Sequence, residues 1–361
     1  MRIPRPKSKL GILAAAAAAL TVVLLGSAGY YKARGEKVCE GCHEIRPSVA
    51  TWRASSHRAE ACTGCHDDAV TASPSVHLAN LAGLVTHLRG AAPEGLLVTD
   101  AVLDRTIARC RSCHGTEGAD WAAGPHGKTY TTFFFNEARN RDELLIDDCL
   151  RCHGSHFQGG IDDLIRPIDR KGPWRFVRLD MASRPAMPCT SCHWLHGPGE
   201  AGRGLAPAAA DLPPDGVPAR EEVHRSTLAF FDRRAMRHVP IDDLRVPEIR
   251  DGDRKVATST DPRQALCTQC HGPDATGGLG TGTDRTPAGV HEGMSCLACH
   301  ALHAMKTRAS CANCHPRLSN CGIDVAIMDT TFRSRASKHD IHTVKCADCH
   351  PAKVPERRKR T

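Results

Sequence analysis

The chain has 361 residues, enough for one to three domains, yet it holds only eight Phe, four Trp and three Tyr beside 19 Cys and 21 His. So few aromatic side chains build a thin apolar core, and so many cysteines exclude an ordinary cytosolic protein. The formal charge of +8 raises nucleic acid as a partner, but the basic residues are scattered and no aromatics interleave with them, which excludes a base-stacking surface.

Arg2, Arg5, Lys7 and Lys9 precede an uncharged stretch from Leu10 to Gly29. Twenty apolar or small residues at the helical rise are just enough to cross a bilayer. Tyr30, Tyr31, Lys32 and Arg34 suit the far interface, and the leading cations favour a cytoplasmic start. The expected layout is a cytoplasmic basic end at 1–9, a transmembrane anchor at 10–31 in the inner membrane, and a periplasmic remainder. A cleaved signal peptide, ending near Gly26-Ser27-Ala28, is the alternative. Both readings send the bulk of the chain to an oxidising space.

Behind this segment Cys-x-x-Cys-His recurs nine times. The cysteine pairs are Cys39 and Cys42, Cys62 and Cys65, Cys110 and Cys113, Cys149 and Cys152, Cys189 and Cys192. Four more follow: Cys267 and Cys270, Cys296 and Cys299, Cys311 and Cys314, Cys346 and Cys349. The adjoining histidines are His43, His66, His114, His153, His193, His271, His300, His315 and His350. Only Cys321 stands outside the pattern. Zinc ribbons use Cys-x-x-Cys but have no need of histidine at the next position each time. A thioredoxin-like pair occurs once, in a strand–helix context absent here, and a disulfide framework does not predict the histidine. Covalent haem c does: two thioethers hold the vinyl groups and the adjacent imidazole is an axial ligand of the iron.

Nine haem c groups (iron) then supply the missing aromatic interior. The expected fold is mainly α with extensive loops, cored by haems, with one N-terminal transmembrane helix. Eighteen propionates against nine ferric cores bring the oxidised protein to about −1 and the reduced one to about −10. The arginines are thus expected as propionate partners.

Twelve further histidines are candidate second axial ligands: His57, His77, His87, His126, His156, His196, His224, His238, His291, His303, His339 and His342. His156, His196 and His303 each fall three residues after a motif histidine, so one helical turn can serve two neighbouring haems. The segment 221–238, EEVHRSTLAFFDRRAMRH, has apolar residues at roughly helical spacing and is expected as a helix presenting His224 or His238. A Pro/Gly/Ala-rich connector at 197–222 divides a haem domain at 32–196, with five attachment units, from one at 223–361, with four. The Gly/Thr-rich loop at 277–289 lacks the Gly-Lys-Ser/Thr of a phosphate loop.

The leading stretch resembles the NapC/NirT family of membrane-anchored quinol-oxidising cytochromes over residues 10 to about 70. The matching features are the apolar helix, CEGCH close behind it, Pro47, the WRASSH run and CTGCH. The resemblance implies that His57 is a distal ligand, that the first haem lies by the membrane beside a quinol site, and that Asp67 or Asp68 accepts quinol protons. Where that family often has methionine, Ile45 stands here and cannot bind iron. Later units such as HEGMSCLACH resemble larger multihaem cytochromes.

Two functions compete. In one, an electron carrier of anaerobic respiration moves electrons from the quinol pool to a periplasmic or outer-membrane redox partner, with quinol oxidation its only small-molecule chemistry. In the other, a terminal reductase acts on nitrite, hydroxylamine or a sulfur oxyanion at an open haem. No Cys-x-x-Cys-Lys unit exists, and Tyr130 is the only tyrosine beyond the anchor region. Cys321 is either a buried free thiol or a thiolate ligand.

Overall fold

A computed structural model describes residues 9–34, 37, 40–41, 45–53, 55, 57–66, 82–83, 85–90, 100–135, 144–196, 227–303, 311, 314–315 and 341–349. The first attachment unit (Cys39, Cys42, His43) lies outside these residues. So do Asp67, Asp68, His77, His224, Cys321, His339, His350 and the connector 197–222.

Helix α1 runs from Lys9 to Arg34. Its apolar side chains are turned to the outside, with Leu13 66% and Leu25 68% exposed. Among the described residues no helix is long and apolar enough to cross a membrane.

Contacts divide the chain into two compact units, one of Met1–Cys110 with Leu195–Thr227, the other of Arg111–Trp194 with Leu228–Thr361. The first unit holds α2 (Arg46–Arg53) and α3 (Cys62–Cys65). Val49 of α2 is buried, and the Trp52 indole Nε1–H donates to the His57 carbonyl at 2.9 Å, closing the turn that carries His57. Helix α4 (Asp100–Cys113) buries Leu103 and Ile107, four apart on one face.

The second unit opens with α5 (Gly115–Ala123), α6 (Tyr130–Phe134), α7 (Cys149–His153) and α8 (Ile161–Leu164). Antiparallel strands β1 (Ile165–Arg166) and β2 (Arg175–Phe176) follow. Tyr130, Phe134, Leu150, Phe157, Leu164 and Ile165 form its main apolar core. Leu150 lies inside the fourth attachment unit, so the core and that unit are built together. Gly154 permits this: a Cβ there would meet Leu150 Cδ2 at 2.8 Å and Tyr130 Cε1 at 3.1 Å.

Residues 229–240 correct the expected helix. They form a hairpin, β3 (Ala229–Asp232) against β4 (Arg237–Pro240), with Phe231 opposite His238. Two causes outweigh the weak helical spacing. Phe230 and Phe231 bury well on a pleated surface. Asp232 Oδ1 accepts from the amides of Arg234 and Ala235, which turns the chain where a helix would continue. At the hairpin tip Arg233 donates to Asp147 Oδ2 (2.9 Å) and to the carbonyls of Phe157 and Gly159, gripping both flanks of α7.

A third antiparallel pair, β5 (Arg250–Asp251) and β6 (Arg254–Lys255), precedes α9 (Arg263–His271) and, near the end, α10 (Cys346–Cys349). Ile249, Val256 and Ala288 form a small second core. The described fold is therefore partly helical and rich in loops, with small two-stranded sheets where mainly α structure was expected.

Candidate haem sites

Among the described residues the Cys-x-x-Cys-His units form helical turns, some standing alone and some, as at Cys110–Cys113 and Cys267–His271, closing a longer helix. The amides of His66, His193, His300 and His315 donate to the carbonyls of Cys62, Cys189, Cys296 and Cys311 at 2.7–3.0 Å. Residues one, four and five of such a turn share a face, so both thiols and the imidazole address one side. That is the arrangement needed to attach a flat ring at two points and ligate its centre. Burial pushes the Cys192 thiol up to about 11.

Among the described residues five motif histidines face a histidine from outside the motifs. Within the first unit His66 stacks with His196, ring centres 5.8 Å apart. Within the second, His193 faces His303 at 5.9 Å, and three pairs stand at 6.2 Å: His271 with His126, His300 with His342, and His315 with His291. A metal–imidazole bond is about 2 Å long, so two imidazoles on opposite sides of one metal ion have their ring centres roughly 6 Å apart. The observed spacing fits one iron between each pair.

The tautomers agree. His196 Nδ1 lies 3.2 Å from the Ser48 carbonyl, and His291 Nδ1 lies 3.1 Å from the Ile341 carbonyl. A carbonyl only accepts, so each Nδ1 carries the proton and each Nε2 keeps its lone pair for a metal. Among the described residues no three of His, Cys, Asp and Glu converge as a protein-only metal site requires. Haem iron needs only two protein ligands, because the macrocycle supplies the rest. The residues fit haem c.

His156 and His238 lie against Thr190. The His238 Nε2–H donates to the Thr190 carbonyl at 2.7 Å, and His156 Nε2 lies 3.1 Å from the Thr190 hydroxyl. Phe231 stacks on His156 at 3.9 Å and Trp194 on His238 at 5.3 Å. Both imidazoles are therefore tied by protein contacts to Thr190, the residue after Cys189 in the fifth unit. Burial lowers both, His156 to about 4, so they are neutral at pH 7. Nothing in the composition of CTSCH marks Thr190 for this role.

Among the remaining candidates, His153 is lowered by burial, and its ring lies 4.5 Å from Phe133. His114 sits between α4 and α5, His57 in a turn, and His87 on an exposed helical turn at 85–88. Ile45 precedes α2, whose Val49 amide donates to its carbonyl at 3.0 Å. Tyr130 is 3% exposed, packed against Phe134 and Phe157.

Comparison with known proteins agrees with this chemistry. Residues 109–164 match the family model of cytochrome c554 and c-prime, a segment that runs from the third attachment unit through the fourth. The match supports a c-type cytochrome that holds haem c covalently and serves electron transfer. It does not single out NapC/NirT. No curated protein and no solved structure matched the chain.

Proposed function

We propose that the chain is a nonahaem c-type cytochrome, anchored in the inner membrane by α1 with its haem-bearing part in the periplasm. It takes electrons from the quinol pool and passes them to a redox partner in the periplasm or at the outer membrane during anaerobic respiration. The observation that carries this reading is the set of five imidazole pairs at 5.8–6.2 Å, each joining a motif histidine to one from elsewhere. When bound, haem c supplies reversible one-electron chemistry at its iron. At these five sites two imidazoles of the chain would hold each iron, an arrangement that suits a carrier of electrons. The outward-facing apolar helix α1 and the NapC/NirT resemblance of residues 10–70 support entry at the membrane, with Asp67 or Asp68 as quinol-proton acceptor.

A second reading rests on His153. Among the described residues Phe133, not an imidazole, lies against its ring. With no second imidazole there, His153 would hold a haem that offers a position to nitrite, hydroxylamine or a sulfur oxyanion, and the protein would be a terminal reductase.

Electron paramagnetic resonance on the purified protein separates the two. Low-spin bis-histidine signals from every haem, with reduction of the membrane-bound protein by menaquinol, are expected of the carrier. A high-spin ferric signal that shifts with nitrite or hydroxylamine would establish the reductase instead, and failure of menaquinol to reduce the protein would remove quinol as donor.

A further inference from the structure

We infer that residues 288–303 are a ligand-distributing junction, which attaches one haem and ties the attachment sites of four others to it. This rests on the bis-histidine pairing proposed above. Cys296, Cys299 and His300 attach the central haem, and His342 faces His300 across its position. The four ties come from independent contacts.

Three residues beyond His300, His303 faces His193 of the fifth unit. It does so from a left-handed backbone, φ 67, a conformation that is uncommon for a residue other than glycine and that costs strain. In that conformation its imidazole meets the one of His193, in another unit. Upstream, His291 faces His315 of the eighth unit, its Nδ1–H held by the Ile341 carbonyl.

The other two ties are made by packing. The Ser295 hydroxyl donates to Asp261 Oδ2 at 2.9 Å, and Asp261 also accepts from Arg263, which opens α9. That pins the residue before Cys296 to the start of α9, the helix that carries Cys267 and Cys270, so the sixth and seventh units lie together. Towards the ninth unit, the Ala288 amide donates to the His342 carbonyl (2.6 Å) and the Val290 amide to the Val344 carbonyl (3.0 Å). Gly289, at φ +62, allows this approach: a Cβ would collide with the Val344 carbonyl oxygen. Two residues beyond Val344, Cys346 opens α10.

The order of the haems in space is thus not their order in the chain. The seventh site neighbours the fifth, sixth, eighth and ninth. A ligand change at this haem is felt at four others, and one at the eighth reaches chiefly the junction. Iron positions from anomalous scattering of the holoprotein test this directly. The iron bound by His300 is expected to have the irons of the fifth, sixth, eighth and ninth units as its four nearest in this part of the chain. A different haem lying between it and any of those four overturns the junction.

Spectroscopy adds a second readout. His342→Met exchanges one axial ligand of the junction haem, and His291→Met one of the eighth. Each is expected to replace one bis-histidine low-spin signal by a methionine–histidine one. His342→Met is further expected to shift the midpoint potentials of four other haems, against one for His291→Met. An equal spread of shifts from the two variants overturns the junction alone. Unaltered low-spin signals in His342→Met, with haem content intact, overturn the ligand pairing itself.

Discussion

The hydrogen bond made by one ring nitrogen of a histidine fixes which nitrogen keeps its lone pair for a metal. His196 and His291 spend Nδ1–H on a backbone carbonyl, and each turns its ring towards a motif histidine. His238 spends Nε2–H on Thr190, and His156 pairs with the Thr190 hydroxyl. Burial, then the neighbouring His238, lowers His156 to about 4 from 6.5. Between those values the unfolded chain binds a proton that the folded chain does not. The contribution to stability is therefore complete above about pH 6.5 and is lost as pH falls towards 4, to a limit of roughly 3 kcal/mol. Thermal unfolding of wild type and His156→Gln between pH 7.5 and 4.5 checks this. The melting temperature of wild type is expected to fall more steeply with acid, and parallel slopes would count against His156.

At the scale of elements, the attachment units are short turns made stable by what packs on them. Leu150 places the fourth unit in the main core, and Arg233 at the tip of the β3–β4 hairpin holds its flanks. The approach of 341–344 to 288–291 depends on one glycine. Gly289→Ala forces a side chain into a left-handed backbone against the Val344 carbonyl. A cost of about 2 kcal/mol or more is expected, seen as a lower melting temperature, with weakening of the low-spin signal that His342 supports. An unchanged melting temperature would mean that the two segments do not meet.

For the molecule as a whole, the proposal turns on the number of haems and on α1. The proposed anchor predicts a simple separation. A chain lacking residues 1–34, exported behind a cleavable signal, is expected in the soluble periplasmic fraction with its haem content unchanged. It is also expected to lose at least tenfold in rate of reduction by menaquinol in membranes, because the donor and the first haem no longer share a surface. Retention in the membrane fraction would show that another segment binds there.

Much of the chemistry was legible without coordinates, because covalent attachment is written locally. Cysteine, cysteine and histidine at positions one, four and five share a helical face whatever surrounds them. The second axial ligand carries no such mark. His126 and His271 are far apart in the chain, and no spacing rule joins them. The three-residue separation marks His156, His196 and His303 alike, yet their surroundings differ: His196 and His303 face motif histidines and His156 meets Thr190. The helix expected over 221–238 failed for a related reason: Asp232 accepts two amides and reverses the chain, so residues 229–240 pair as strands.

The sequence by itself determined the attachment chemistry, since each unit is complete within five residues and needs no distant partner. Only the tertiary structure decided which imidazole meets which, and that the seventh site lies among four others. Those relations depend on a strained His303, a bare Gly289 and a hairpin turned by Asp232, and contacts between residues distant in the chain are fixed only when the whole packs.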